Sequence, residues 1–343
     1  MQESKEKENK KKNFHPKKIS KDEMGRITSQ IEERLHDFIN EGKYKEVLIS
    51  MGNLGRYSLN NQIYILMQMP EATTVKGMKR WNTLGRHVKP GEKSIKIFAP
   101  ITRFRDVEVK DEEGNTVLDY DGTPLKERKQ RIVGYEQNYV FDISQTDGPE
   151  IDVFRFDKNK IVENKATILE GLRKVVERKG FTISYATQEE LGSGTYGLCN
   201  HNTHEIKILE NMSDLQEIST TVHECGHALA HSSYREDFEG LTPNEKREIK
   251  EVEAESIACV VCTYLGLDTE NFNFSYITGW ADGDISKFKK NLDVISAHAK
   301  TIIKGIEKEI ELEEKKEPIE VKTPIEVPPQ LLGRNISQGM EMA

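Results

Sequence analysis

A histidine pair with a glutamate beside its first member is the strongest chemical signal in the sequence. The segment His223-Glu224-Cys225-Gly226-His227 matches the pattern H-E-x-x-H. Residues four apart share one face of a helix, so both imidazoles can bind one metal ion. Glu224 lies one step around the helix and can act as general base toward a metal-bound water. The alternative interpretation is a capped helix with two incidental histidines.

A third metal ligand is expected on a separate element, because catalytic zinc sites use three protein ligands and leave one position for water. One predicted helix offers Glu251, Glu253 and Glu255. A carboxylate on the apolar face of a helix is costly to bury unless a cation holds it. Only Glu253 lies on that face, with Ile249, Ile257, Val260 and Tyr264. We therefore predict Glu253 as the third ligand, and the alternative is that Glu253 is solvated at the edge of the apolar face.

These residues predict a zinc-dependent hydrolase. Zn²⁺ would polarise a scissile carbonyl and acidify its water, and Glu224 would pass the proton to the leaving amine. A hairpin is predicted just before the histidine helix, and it could pair with an extended peptide by strand addition.

Nearby cysteines and a further histidine receive lesser roles. Cys259 and Cys262 form a lone C-x-x-C without a second ligand pair, so they are predicted to be small buried hydrophobic residues. His231 follows His227 by one more helical turn. It is interpreted either as a surface residue or as a group behind the metal ligands.

The segment from Lys76 to Arg105 is strongly basic within an acidic chain. It contains nine Lys and Arg residues and one acidic residue, Glu92, so its net charge is +8, whereas the whole chain carries −8. Cations that follow phosphates and rings that stack on bases are typical of single-stranded DNA-binding surfaces. The alternative is a solvated basic face whose tryptophan belongs to the core. The predicted DNA contacts are Lys79, Arg80, Trp81, Arg86, Lys89, Lys93 and Lys96.

Composition limits the remaining classes of protein. A length of 343 residues favours two domains, and 36% hydrophobic residues suffice for packed cores. Four cysteines do not make a disulfide scaffold in a chain this long. No apolar run is long enough to span a membrane, and the lysine-rich N-terminus lacks the apolar segment of a secretory signal. We expect no membrane partner and a cytoplasmic location.

The predicted elements form an α+β fold with two domains. Residues 1–21 are expected to be a disordered basic arm and residues 313–343 a disordered tail rich in Pro and Glu. Residues 22–150 are expected to form the DNA-binding domain, and residues 151–312 the metal-binding domain. The predicted helices span 22–49, 58–69, 161–178, 214–231, 243–265 and 285–312, and the predicted strands include TVLDYDG over 116–122.

Two parts of the sequence resemble one known family. The stretch YSLNNQIYILMQMPEATTVKGMKRWNTLGRHVKPGEKSIKIFAP, followed by YVFDISQTDG, resembles the N-terminal domain of ArdC-type antirestriction proteins. The stretches HECGHALAH and EVEAESIA resemble the zinc metallopeptidase-like domain of the same proteins. The resemblance covers about residues 23–309. Residues 103–131 and the tail look like lineage-specific additions.

The resemblance implies a single-stranded-DNA-binding domain followed by a zincin domain of the gluzincin type, related to the ImmA/IrrE peptidases. It implies that His223, His227 and Glu253 bind zinc and that Glu224 is the acid/base. It also implies a protein of conjugative plasmids and related mobile elements that protects incoming single-stranded DNA from host restriction. The alternative function is a regulatory zinc-dependent protease that cleaves a protein such as a repressor or a restriction subunit. An inactive structural zinc protein is a third interpretation.

Overall fold

The computed structural model describes residues 17–111, 113–151, 158–231, 235–272, 274 and 285–315. The α+β class predicted from the sequence is confirmed. In the N-terminal half, the elements are β1 (Lys17–Ile19), α1 (Lys21–Asn40), α2 (Tyr44–Asn53), α3 (Leu59–Gln68), β2 (Val75–Lys76), α4 (Met78–Thr83), β3 (His87–Val88), β4 (Ile95–Glu108), β5 (Lys126–Asp142) and β6 (Thr146–Asp147).

The second half of the chain carries the histidine motif on a long helix. Its elements are α5 (Lys158–Glu163), α6 (Lys165–Glu177), β7 (Thr182–Ala186), α7 (Gln188–Leu191), β8 (Gly197–Asn200), β9 (Glu205–Leu209), α8 (Asp214–Ala230), α9 (Pro243–Leu265) and α10 (Ile285–Glu314). Among the described residues, no helix combines the length and the apolar character needed to cross a membrane.

The long strand β5 organises the sheet of the first half. Antiparallel β4 pairs along one edge of β5, with an irregularity between Ile101 and Thr102, and β1 and β2 pair with the other edge. Beyond the buried part of this sheet, β4 and β5 continue as an exposed two-stranded arm. The strand predicted over 116–122 is wrong, because that segment contributes only isolated bridges near the tip of the arm.

The start of the described chain is more ordered than the sequence suggested. Residues 17–19 form β1 on the edge of β5, and α1 begins at Lys21. The prediction of a disordered arm is therefore wrong for residues 17–21, and residues 1–16 lie outside the described residues, as do residues 316–343 of the predicted tail. The single helix predicted over 22–49 is interrupted at Gly42, whose positive φ of 68° suits glycine and turns the chain between α1 and α2.

The second sheet places the histidine helix next to an edge strand. Parallel β7 and antiparallel β8 flank β9, so the hairpin predicted before the helix is present as β8 and β9. At the start of α8, Ser213 accepts a hydrogen bond from the backbone N–H of Gln216. At α9, Thr242 caps the first turn, and Gly266 ends the helix in the left-handed region.

The two halves of the chain share a hydrophobic core. Helix α2 packs against α9, and the hydroxyl groups of Tyr44 and Ser256 are 2.8 Å apart between them. The ring of Tyr44 also meets the rings of Phe274 and Phe288 in edge-to-face contacts. Cys259 and Cys262 are fully buried in this core, as predicted. A boundary between domains near residue 150 stays a prediction.

Helices α6 and α10 approach closely through two glycines. A Cβ atom on Gly171 would lie 2.7 Å from the Cα atom of Ile306, and one on Gly305 would lie 2.1 Å from a methyl of Val175. Helix α6 also packs against α8, so this contact supports the helix that carries the histidines.

We expect Gly171→Ala to lower the free energy of unfolding by about 1–3 kcal/mol, because the added methyl meets backbone that cannot move aside. Denaturant titration of the purified variant measures this change. Gly25→Ala is the matched control, since Gly25 is exposed in α1 and a Cβ atom added there would have nothing within 4 Å. It should raise stability by about 0.5–1 kcal/mol, as expected for alanine in a helix. Equal stabilities of the two variants would contradict the close approach of α6 and α10.

Candidate functional site

Helix α8 brings two imidazoles to one point. The rings of His223 and His227 lie 4.8 Å apart between centroids, and their Nε2 atoms are 3.2 Å apart. This follows from the helical spacing of four residues. Both side chains are mostly buried, with exposed fractions of 23% and 13%.

Glu251 on α9 is the carboxylate that joins the two histidines. Its Oε2 atom lies 3.7 Å from Nε2 of His223 and 3.4 Å from Nε2 of His227. The three ligand atoms lie within 4.8 Å of one another, so these side chains could hold a metal ion. Two imidazole nitrogens and one carboxylate oxygen form a donor set that suits a divalent ion such as Zn²⁺.

Glu253, predicted as the third ligand, lies elsewhere. Its carboxylate is fully buried and is paired with Arg235 and with Nε2 of His231, the latter at 3.0 Å. The helical-phase argument required a cation for this buried carboxylate, and the guanidinium of Arg235 supplies one. Arg235 comes from the connection between α8 and α9, whose path helical phase does not reveal. Glu251 and Glu255, one turn apart, share the face of α9 that borders His223.

The field around the histidines is strongly negative. Burial opposes protonation of His223, but its hydrogen bonds with Glu251 and Glu255 outweigh burial and raise its pKa to about 10. Hydrogen bonds from His223 and His227 lower the pKa of Glu251 well below its usual range. Carboxylates that hold a proton this firmly on an imidazole also attract a cation at the same point. The electrostatics therefore favour a divalent ion between these side chains.

Glu224 lies beside this point, on the side of strand β8. Burial raises the pKa of its carboxyl, against the opposing effect of His223 and His227. A Cβ atom on Gly197 of β8 would lie only 2.7 Å from Oε1 of Glu224. Gly197 is a site residue that the sequence reasoning missed, although a glycine inside a predicted strand is a signal of close approach.

Two clefts reach the candidate centre. One, of about 560 Å³, is lined by Gly197, His227 and Glu251, and the other, of about 720 Å³, by Thr220 and Glu255. His223 and Glu224 line both. Within the described residues, β8 pairs only with β9, so its other edge is open beside the clefts. The arrangement can admit an extended chain next to the histidines.

Two of the predicted DNA contacts are structural. Trp81 of α4 is fully buried, and its indole Nε1–H donates to the carbonyl of Phe141 at 2.9 Å. Arg86 is 9% exposed, and its guanidinium donates to the hydroxyl and the carbonyl of Thr146, both at 2.8 Å. Both side chains are therefore enclosed by the fold, and their contacts with DNA stay predictions. These side chains hold the basic segment against β5 and β6, and composition alone does not distinguish an anchoring ring from a stacking one.

The remaining predicted contacts stay available to solvent. Lys79, Arg80, Lys93 and Lys96 are exposed, whereas Lys89 is half-buried and donates to the carbonyl of Ser144 at 2.9 Å. The freely exposed cations thus lie on α4, β4 and the connection before β4.

The arm formed by β4 and β5 offers a second combination of cations and an aromatic ring. Phe104 is 60% exposed, and the guanidinium of Arg128 lies 5.3 Å from its ring centre. Arg103, Arg105 and Arg131 are exposed on the same arm. An exposed ring among arginines is the surface that base stacking requires, and here it is Phe104 and not Trp81.

Residues 17–141 match the family described as the N-terminal domain of anti-restriction factor ArdC. The resemblance found in the sequence is confirmed for this ArdC N-terminal domain, which includes the exposed cations and the arm. The match contains none of the residues of the candidate metal centre.

A curated relative aligns with most of the chain. An uncharacterized protein of Bacillus anthracis, pXO2-81, is 27% identical over 335 residues. That alignment covers 90% of this chain and 56% of the relative, so the chain spans about half the length of the curated relative it matches.

Two crystal structures of the antirestriction ArdC protein from plasmid R388 also align with the chain. The metal-free structure gives a TM-score of 0.43 at 17% identity over 83% of this chain and 97% of its own. The Mn(II)-bound structure gives 0.42 at 17% over 82% and 96%. TM-scores below 0.5 do not establish a common overall arrangement.

Single substitutions of Glu251 and Glu253 should distinguish the candidate metal ligand from the member of the buried ion pair. We expect Glu251→Gln to lower the zinc content measured by mass spectrometry at a smaller cost in stability of the chelator-treated protein than Glu253→Gln, because Glu251 is half-exposed. Glu253→Gln should instead cost about 3–5 kcal/mol of stability, because it leaves Arg235 with a neutral partner in a buried position.

Chemical denaturation of the metal-free proteins measures the second effect. Glu248→Gln, an exposed carboxylate on the same helix, is the matched control for both measurements. Full zinc content in Glu251→Gln, or wild-type stability in Glu253→Gln, would contradict the assignment of the two carboxylates.

Proposed function

We propose that this protein is an antirestriction protein that binds single-stranded DNA through its ArdC N-terminal domain and carries a zinc metallopeptidase-like centre on α8 and α9. The convergence of His223, His227 and Glu251 beside the buried Glu224 is the observation that carries the second half of this proposal. The family match of residues 17–141 supports the first half. In this function, the first half binds incoming single-stranded DNA of a mobile element and protects it from restriction.

The side chains at the centre have separable roles in peptide hydrolysis. His223, His227 and Glu251 would hold a divalent ion, which would supply Lewis-acid polarisation and a more acidic water. Glu224 accepts a proton at its carboxylate, and its raised pKa suits a group that then delivers the proton to the leaving amine. The open edge of β8 holds an extended peptide by backbone hydrogen bonds. The zincin character of the fold is part of this proposal.

The DNA-binding half rests on the cations that the fold leaves exposed. Lys79, Arg80, Lys93 and Lys96 have no ion pair among the described residues, so they are free to neutralise phosphates. Phe104 on the arm adds a ring for base stacking. A surface of this kind binds single strands with little sequence preference and with strong dependence on salt.

Replacing all four of those cations by glutamine should weaken the binding of single-stranded DNA and reduce its dependence on salt concentration. Each lost phosphate contact removes about 0.7 from the slope of log K against log salt, so the slope should fall by up to about 3. Fluorescence anisotropy with a labelled single-stranded oligonucleotide at several salt concentrations measures both quantities.

The matched control neutralises four exposed cations of the second half, Arg173, Arg178, Lys179 and Lys308. The control should keep the wild-type slope. Equal losses in the two quadruple variants would place the DNA elsewhere, and Phe104→Ala would then test the arm by itself.

A regulatory zinc-dependent protease is the second candidate function, and the open edge of β8 beside Glu224 favours it. In this function, the cleaved partner is a protein such as a repressor or a restriction subunit, and DNA only brings the enzyme to the site.

Glu224→Gln separates the two functions, because it keeps the shape of the centre but removes the proton acceptor. We expect this variant to retain its zinc and to protect single-stranded DNA entering a restricting host as well as the wild type does. The measurement is the yield of transformants, with the quadruple lysine–arginine variant as the arm that loses protection. The reverse pattern, lost protection in Glu224→Gln with intact DNA binding, would support the protease instead.

A further inference from the structure

A chain of buried hydrogen bonds runs from Arg235 to the candidate ligand His227. The guanidinium of Arg235 donates to both carboxylate oxygens of Glu253, with NH2 at 2.9 Å from Oε1. Oε2 of Glu253 lies 3.0 Å from Nε2 of His231, and Nδ1 of His231 lies 3.2 Å from Nδ1 of His227. The side chains of Glu253 and His231 have no exposed surface. We call this set, Arg235, Glu253 and His231, the buried relay.

We propose that the buried relay is a positioning device that fixes the proton of His227 on Nδ1 and thereby directs the lone pair of Nε2 toward the metal. The functional part of this inference rests on the proposed metal centre, whereas the proton arrangement does not. Arg235, Glu253 and His231 act through His227 and touch neither metal nor substrate.

The direction of each hydrogen bond follows from the chemistry of the groups. Arginine stays protonated in proteins, so Glu253 beside it is an anion that can only accept. Nε2 of His231 therefore carries a proton and donates it to Glu253. The ring of His231 has no exposed surface, and Glu253 already shares its charge with Arg235, so the buried ring is neutral and has only that one proton. Its Nδ1 is then an acceptor, and the partner atom, Nδ1 of His227, must donate.

The consequence for His227 concerns its other nitrogen. A neutral imidazole that carries its proton on Nδ1 has its lone pair on Nε2. Nε2 of His227 is the atom that lies 3.2 Å from Nε2 of His223 and 3.4 Å from Glu251. The ligand nitrogen is therefore prepared for a cation by a carboxylate beyond His231. Outer hydrogen bonds of this kind orient the ring and raise its basicity.

His223 has a shorter version of the same support. Its Nδ1 lies 3.1 Å from Oε2 of Glu255, so one carboxylate holds it directly. Glu251, Glu253 and Glu255 thus receive three different roles on one helix. The direct partner is 29% exposed, whereas the relay behind His227 is buried, and the relay is therefore the more rigid of the two supports.

The experiment compares His231→Leu with His231→Gln in the full chain. Leucine neither donates nor accepts, whereas the glutamine amide can accept from His227 and donate to Glu253. Affinity for Zn²⁺, measured by competition with a chromophoric chelator, should fall about 10- to 100-fold in the leucine variant. The glutamine variant should recover most of this loss. His36→Leu, at an exposed histidine of α1, is the control and should bind zinc as the wild type does.

Long-range proton–nitrogen NMR spectra of the metal-free proteins give a readout that needs no metal. They should show His227 protonated on Nδ1 in the wild type and in His231→Gln, and a mixture of the two tautomers in His231→Leu. If the wild type shows the Nδ1 proton but binds no zinc, the metal centre fails while the relay stands. The inference would be overturned if wild-type His227 carried its proton on Nε2, or if His231→Leu bound zinc as tightly as the wild type. It would also be overturned if both His231 variants lost equal zinc affinity and equal melting temperature.

Discussion

The close crossing of α8 and α9 is the constraint on which the candidate centre depends. A Cβ atom on Gly226 would lie 3.3 Å from the Cα atom of Ala254, so the two helices meet through their smallest residues. Gly226 is the neighbour of His227, and Ala254 lies between Glu253 and Glu255. A Cβ atom at Gly226 would already require the neighbouring backbone to move by a few tenths of an ångström, so the short distance between the imidazoles and the carboxylates of α9 depends on this glycine. Packing by small residues and the chemistry of the site are therefore one feature.

That crossing gives three neighbouring glutamates three different environments. Glu251 is half-exposed and faces both Nε2 atoms, whereas Glu255 is partly buried and faces one Nδ1 atom. Glu253 is enclosed and needs a full countercharge, which Arg235 provides. A buried ion pair adds little net stability, but it fixes positions firmly, because either member alone would be an unpaired buried charge. Arg235 therefore stays paired with Glu253, and Glu253 in turn contacts His231 at the end of the histidine helix.

The basic segment shows a division of labour between cations of the same type. Arg86 and Trp81 are enclosed and hold the segment to β5 and β6, while Lys79, Arg80, Lys93 and Lys96 project into solvent. Their charge adds to that of the arm, on which Phe104 is exposed. The net charge of +8 between Lys76 and Arg105 therefore overstates what a DNA strand can reach.

The sequence by itself determined the local elements and the chemistry that follows from local spacing. Helical periodicity located α8 and α9, and the spacing of four residues between His223 and His227 required both rings on one face. The similarity of residues 17–141 to the ArdC N-terminal domain was also recognisable from the sequence, because the matching residues form one continuous segment. Only the tertiary structure decided which carboxylate joins the histidines and which ring reaches solvent. Those choices depend on how α9 is rotated against α8, on where Arg235 arrives, and on how β5 covers Trp81. Each is a contact between distant segments, which the periodicity of one segment does not encode.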